Sequence, residues 1–455
     1  MKVHFIGIGG IGISAIACIY KQKNWIVSGS DEEQSEITDG LKQMGMDVFI
    51  GHKKENLWCQ TCVRHVSDTK PNLVVYSEAV PKENIELKEA KKLKIKCLSG
   101  AQALADLAKD YFLIAVSGMH GKSTTASMVA QILIKAKLDP SFIIGTKPGW
   151  RLGKSKYLII EADDYKAKLL NYNPDILVLT NIEEEHMDYF ENLNHILKVF
   201  LQYAKQVNGF IVGNRDNENV VKIFEKLKTK PARNAFSIAD AGGNEKVKIK
   251  KYSLDNKEAK VLEKILKIPG EHNVSNALAA LNVARILDIK DEVSFKALSE
   301  FKGIWRRFQE TELRIRNHEL RIVADYAHHP TEILATFQAL HEKYSNKKIL
   351  VIFQPHQYQR TFYLFNDFVK TFQQAKNFGI EKVIITDIYS VKGRESQEIK
   401  SKTNSQKLVK AINCKEVEYI KQEKLENYIK DNLKDIDVLT ITGAGDIYKL
   451  AQKLK

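Results

Sequence analysis

Residues 111–125 read Tyr-Phe-Leu-Ile-Ala-Val-Ser117-Gly-Met-His-Gly-Lys122-Ser-Thr-Thr125, and a segment of helical spacing follows over about 124–136. A short apolar run of this kind predicts a strand buried on both faces. Directly after it, Gly121-Lys122-Ser123 stands where strand gives way to helix. That is the core of a phosphate-binding loop. Backbone N–H groups cradle oxygens, the lysine neutralises the β and γ phosphates, and the serine hydroxyl can ligate Mg²⁺. The usual G-x-x-x-x-G-K-[ST] spacing is not met, because Val116 stands five residues before Gly121; the spacing here is Gly118-x-x-Gly121-Lys122. The junction still predicts a nucleoside triphosphate site.

Two further apolar runs, Tyr157–Ile160 and Ile176–Leu179, each end in acidic residues: Ile159-Ile-Glu-Ala-Asp-Asp164 and Leu179-Thr-Asn-Ile-Glu-Glu-Glu-His186. Ligands of open α/β sheets sit beyond the carboxyl ends of the strands. The loop 118–123, Glu161, Glu183 and His186 are therefore expected to converge, and hard oxygen ligands beside phosphates suit Mg²⁺. The lysine-rich stretch Gly242 to Lys267 predicts a hairpin or excursion, Val274 to Leu287 a helix, and 301–308 a linker.

At the amino end, Gly7-Ile-Gly-Gly-Ile-Gly12 follows a strand and opens a helix, with Asp31 after the second strand. This is the context in which glycines admit a pyrophosphate to a helix N-terminus and an acid meets a ribose. Taken alone it leaves a dinucleotide coenzyme, another nucleotide or an unliganded turn open. Beyond the linker, Val323-Ala-Asp-Tyr-Ala-His-His-Pro330, Phe353-Gln-Pro-His-Gln-Tyr-Gln-Arg-Thr361 and Thr442-Gly-Ala-Gly-Asp446 each end a strand, with helices near 331–344, 361–376, 404–412 and 446–454. Polar clusters at three strand ends mark one rim as a binding surface. Alternation of β and α throughout predicts stacked doubly wound α/β domains. At roughly 150 residues per domain, the 455 residues suggest three: 1–107, 108–303 and 304–455.

Composition narrows the classes. Lys plus Arg number 70 against 56 Asp plus Glu, a formal charge of +14, yet the lysines are interspersed with glutamates and no arginine-rich arm is present. The excess is read first as a lysine-rich drift of composition, next as suiting a phosphate-rich substrate, and last as nucleic acid. No apolar run reaches membrane-spanning length, and the start lacks the pattern of a secretory signal. Five cysteines, an odd number, suit a reducing compartment. These features predict a cytoplasmic protein. Trp58-Cys-Gln-Thr-Cys62 has no second pair at zinc spacing and is read as coincidental.

Together these motifs resemble the Mur ligase family over nearly the whole chain. Gly-x-x-Gly-Lys-Ser-Thr-Thr, Glu161-Ala-Asp, Asn181-Ile-Glu183-x-x-His186, Gly270-Glu-His-Asn-Val-Ser-Asn276, Arg306-Arg-Phe308 and Asp325-Tyr-Ala-His-His-Pro330 occur in the family's order. The amino-terminal glycines, the Phe-Gln-Pro-His segment and Gly-Ala-Gly-Asp are similar to the branch acting on UDP-N-acetylmuramate and L-alanine. The resemblance implies a Rossmann-like UDP-substrate domain, a central P-loop-type ATP domain and a Rossmann-like C-terminal domain. It also implies ATP-driven amide formation through an acyl phosphate, in peptidoglycan precursor synthesis, by a monomer or weak homodimer.

By the same resemblance, Lys122, Glu161 and His186 are catalytic, and Ser123, Glu161, Glu183 and His186 serve the metal. Gly118, Met119, His120, Gly121, Lys122, Ser123, Thr124, Asn273, Asn276, Arg307 and Asp325 serve ATP. Gly9, Gly10, Ile11, Gly12 and Asp31 serve the UDP substrate, and His328, His356 and Arg360 the amino acid. Ser123 and Met119 replace threonines common in the family's loop, and Gln357 replaces a basic residue. An oxidoreductase read from Gly7–Gly12 alone would leave Gly121-Lys-Ser without a use.

Overall fold

Three twisted sheets follow one another along the chain in this computed structural model, which describes residues 1–58, 70–228, 247–315, 318–391, 395 and 397–453. The Cys59 and Cys62 pair lies outside the described residues. The first sheet has five parallel strands in the spatial order Asp47–Ile50, Ile26–Asp31, Lys2–Ile6, Leu73–Tyr76, Lys96–Ser99. Its reversal point beside Lys2–Ile6 is where such sheets form a ligand crevice. The glycine-rich turn leaves that strand and opens the helix Ile11–Gln22.

The second sheet runs Lys248–Tyr252, Phe210–Asn214, Ile176–Leu179, Phe112–Ser117, Tyr157–Glu161, Ser141–Ile143, Trp150–Arg151. Its register pairs Ser117 with Leu179 and Val116 with Glu161, so the loops after three central strands start at one height. Ile114, Val116, Ile159 and Val178 are fully buried. Each such side chain contributes about 1.5–3 kcal/mol by leaving water. In the described part of the Gly242 to Lys267 stretch, from 247 on, there is no hairpin. Lys248–Tyr252 pairs in parallel with Phe210–Asn214, and the helix Lys257–Ile265 follows. An edge strand with exposed lysines alternates only weakly, which disguised it.

In the third unit the order is Gln309–Ile315, His318–Asp325, Val438–Thr442, Ile349–Phe353, Ile380–Ile385, Val417–Tyr419, the first strand antiparallel and the rest parallel. Asp325 and Phe353 both pair with Thr442, so the three polar strand ends share one rim. The helix expected over 361–376 is broken into Tyr358–Tyr363, Phe365–Gln373 and a 3₁₀ turn, Ala375–Phe378. Apolar packing is distributed unevenly. One core joins Phe5, Ile16 and Val75 of the first unit to Leu113, Ile160 and Phe200 of the second. Val323, Phe337, Val351 and Phe368 belong to a separate core within the third. Lys147 meets both neighbours of its unit, 3.2 Å from Glu36 and 4.6 Å from the Trp305 ring.

Candidate active site

The loop after Phe112–Ser117 can turn only because of two glycines. A Cβ on Gly118 (φ +130°) would lie 2.2 Å from Thr180 Oγ1, and one on Gly121 (φ +80°) 2.3 Å from Asn276 Oδ1. The next strand's end completes the turn. Thr180 Oγ1 and Asn181 Nδ2 donate to the His120 carbonyl at 2.7 and 3.0 Å, and His120 N–H donates to Asn181 Oδ1 at 2.9 Å. The helix Lys122–Lys135 then points its N-terminus at the rim, a natural seat for phosphate.

Lys122 Nζ donates to Gly118 O at 2.6 Å, Met119 O at 2.9 Å and Asp164 Oδ1 at 2.9 Å. Burial would lower this ammonium, but Asp164, Glu161 and Asp163 outweigh it and hold it above the usual lysine range. It therefore stays charged. Ser123 Oγ donates to Glu161 Oε2 at 2.7 Å, and Gly145 N–H to the same oxygen at 2.8 Å. Asp163, Asp164 and His186 bring ligand atoms within 4.8 Å of one another, and Asp164 Oδ2 is buried without a hydrogen-bond partner. His186 itself has φ +56°, a costly backbone for a side chain of its size. These hydroxyl and carboxylate oxygens beside a phosphate loop have the chemistry a small divalent cation requires.

The expected metal residues fall into separate groups. Ser123 meets Glu161, and His186 Nε2 lies 3.6 Å from Asp164 Oδ2. Glu183 turns to the third unit: its Oε1 is 2.9 Å from His120 Nε2, and its Oε2 accepts from Thr331 Oγ1 at 2.8 Å. His120, Glu183 and His329 form a second cluster of metal-capable side chains. Glu332, which the sequence reading passed over, joins the units. Its Oε1 is 3.2 Å from both His120 Nδ1 and Arg307 Nη1, and its Oε2 accepts His328 N–H at 3.0 Å. Burial would lower the His120 imidazole, but Glu183 and Glu332 overcome it and raise the group to about 10.

A cavity of about 380 Å³ opens between the second and third units. Gly121, Ser123, Thr124, Asn273, Asn276, Arg307 and Asp325 all line it. Asn276 Oδ1 accepts from Thr125 Oγ1 at 3.1 Å, and Asn273 Nδ2 donates to Pro269 O at 2.6 Å. Asp325 accepts Phe308 N–H at 3.0 Å and Ala327 N–H at 2.8 Å, while burial, opposed by Arg307, lifts its carboxyl to about 6. His272 also lines the cavity, and burial beside Arg307 lowers it to about 4, so it is neutral at pH 7. The Gly270–Asn276 motif contains it, but the sequence reading gave it no role.

At the first sheet, Gly9 N–H donates to Asp31 Oδ2 at 2.7 Å, which fixes the glycine-rich turn. Gly10 caps the helix that Ile11 and Gly12 begin, and Ile11 is exposed at its mouth. On the third unit's rim, His328 and His356 rings meet at 5.8 Å, and Arg360 Nη1 lies 3.0 Å from His356 Nδ1. The three expected amino-acid-side residues are thus gathered.

Comparison with known proteins agrees with this architecture. The models described as Mur ligase family catalytic domain, Mur ligase middle domain, and Mur ligase glutamate ligase domain match residues 2–112, 116–284 and 306–445. The UDP-N-acetylmuramate–L-alanine ligase of Clostridium perfringens is 35% identical, covering 99% of this chain and 97% of its own. Its counterpart in Clostridium tetani is 36% identical, covering 98% and 96%. Among solved structures, the UDP-N-acetylmuramate–alanine ligase of Thermotoga maritima superposes with a TM-score of 0.75 at 24% identity, covering 100% of this chain and 98% of its own. With three consecutive family models matched and relatives aligned end to end, the chain belongs to the Mur ligase family.

Proposed function

We propose that this chain is the ligase that joins L-alanine to the lactyl carboxylate of UDP-N-acetylmuramate, splitting ATP to ADP and phosphate, in peptidoglycan precursor synthesis. Full-length relatives carrying that activity in their names support the substrates. The observation that carries the reaction type is the seam itself, where Ser123, next to Lys122 in the chain and bonded to Glu161, lines a cavity that Arg307 and Asp325 of another unit help to line.

A carboxylate is a poor acyl donor because oxide is a poor leaving group. Transfer of the γ-phosphoryl group to it gives an acyl phosphate, which an amine attacks to release phosphate. The first step brings two anions together, so cationic stabilisation and positioning do most of the work. Lys122 supplies a permanent positive charge at the loop. Asn273 and Asn276 flank the nucleotide from the second unit, and Arg307 and Asp325 approach it from the third. Glu161, Ser123 and the Asp164–His186 side would hold Mg²⁺, while Glu183 pairs with His120 and Thr331 instead. That ion would offset phosphate charge when bound. Gly9 to Gly12 and Asp31 receive the UDP end; His328, His356 and Arg360 receive the amino acid.

Domain limits of 1–107, 108–303 and 304–455 accompany this reading, as do a monomer or weak homodimer and a cytoplasmic setting. Among the described residues no helix is long and apolar enough to cross a membrane. The test is phosphate release from ATP with UDP-N-acetylmuramate against a panel of amino acids, with product mass. Alanine should give the alanyl adduct, and a muramyl-type tripeptide should give no tripeptidyl adduct. Oxygen-18 in the lactyl carboxylate must appear in the released phosphate; its absence would refute the acyl phosphate.

A further inference from the structure

A buried ion pair crosses the seam on the amino-acid side. Arg360 Nε and Nη2 lie 3.0 and 2.9 Å from Glu185 Oε1, and both side chains are almost wholly buried, at 6% and 7% exposure. Glu185 comes from the loop after Ile176–Leu179, and Arg360 from the helix Tyr358–Tyr363 of the third unit. Burial opposes ionisation of Glu185, but Arg360, followed by nearby histidines, keeps its carboxyl well below the usual range. Its Oε2 lies 4.0 Å from His329 Nε2. A buried pair of this kind gives little net stability over an apolar contact of equal size, because both charges lose their hydration.

The surroundings suggest what the pair is for. Glu185, Gln359 and Arg360 line one small cavity of about 10 Å³, together with His186, Tyr363, Leu364 and Asp188, whose Oδ2 accepts from the Tyr165 hydroxyl at 3.0 Å. Gln359 Oε1 is buried there and has no hydrogen-bond partner, although buried acceptors are almost always satisfied. An anion acceptor, a vacant amide acceptor and a guanidinium therefore surround a space about one water in size.

We infer that Glu185 and Gln359 hold the ammonium of the incoming amino acid while Arg360 holds its carboxylate, the ligand entering by parting the Glu185–Arg360 pair. An amino acid at neutral pH carries one charge of each sign. Inserted between these residues it exchanges one neutral arrangement for another and leaves no buried charge uncompensated. Tyr363 and Leu364 bound the space, which limits the side chain to a small one. The assignment rests on the ligase reading above, and Glu185 and Gln359 are what it adds.

The test compares two nucleophiles on the same acyl donor. Hydroxylamine is uncharged at pH 7.5 and lacks a carboxylate, so it traps an acyl phosphate as hydroxamate without using this subsite. Glu185→Gln, Glu185→Asp and Gln359→Leu are assayed with ATP, UDP-N-acetylmuramate and either alanine or hydroxylamine. In Glu185→Gln the KM for alanine should rise at least ~10-fold, the loss of one charge-assisted hydrogen bond. The ratio of alanyl product to hydroxamate should fall with it. Glu185→Asp should recover part of the ratio, and Gln359→Leu should lower it more mildly. Equal losses with both nucleophiles would mean that Glu185 only braces the seam, and would overturn the assignment while leaving the ligase reading intact. A wild-type chain that forms hydroxamate but no alanyl product would overturn both.

Discussion

His120 of the phosphate loop and Glu332 of the third unit lie 3.2 Å apart, although 212 positions separate them in the chain (332 − 120). The contact ties the glycine-framed loop to the third unit. Its strength depends on the imidazole being charged, which gives a pH signature with a definite sign. His120 is raised from 6.5 to about 10, burial opposing and Glu183 and Glu332 prevailing. A group with a raised folded-state value contributes stability in full below its unfolded value and loses it as pH rises through the folded one. The melting-temperature advantage of wild type over His120→Gln should therefore be full near pH 6 and shrink as pH approaches 10. Thermal unfolding across that range measures it, and an advantage that grows with alkalinity contradicts the charged pair.

Lys122→Ala should lower turnover by ~10²-fold or more, the usual size of losing a preorganised electrostatic stabiliser. Circular dichroism should show the fold retained. Near-normal phosphate release in that variant would remove Lys122 from the mechanism.

Gly121→Ala places a Cβ 2.3 Å from Asn276 Oδ1 at φ +80°. The expected cost is about 1–3 kcal/mol of stability from backbone strain alone, with loss of ATP binding as the loop shifts. Denaturant titration and nucleotide calorimetry read the two effects. Wild-type values in both would show that the loop tolerates a side chain there.

Ser123→Ala removes the hydroxyl that donates to Glu161. The Mg²⁺ concentration for half-maximal activity should rise about tenfold or more, while ATP affinity measured without metal changes little. Chelation of the metal should abolish turnover in wild type. An unchanged Mg²⁺ dependence in the variant would place the ion elsewhere.

Much of this was legible before any coordinates. Strands such as Phe112–Ser117 and Ile349–Phe353 are nearly continuous apolar runs because helices cover both faces of their sheets, and runs of that kind stand out. Lys122, Ser123 and Glu161 were readable because phosphate chemistry demands a glycine-framed turn at a strand end. Edge strands such as Lys248–Tyr252 and Lys96–Ser99 escaped, since solvent on one side lets lysine interrupt the pattern. Asp164, Glu332 and His272 escaped for another reason. Each acquires its role from a partner brought near only by folding, as when Lys122 bonds Asp164 across 42 positions. Asp31 shows how folding adds to a reading: its spacing suggested a ribose contact, and its Oδ2 also accepts from Gly9 N–H.

The sharing of apolar packing noted for the fold bears on how the molecule works as a machine. Its first two sheets are welded by a common oily interior, whereas the third carries its own. Mechanically there are two jaws rather than three parts. The bonds named across the bite, Glu332 to His120 and Arg360 to Glu185, are ones that water can replace. The third body can therefore shift against the other two without splitting a shared core.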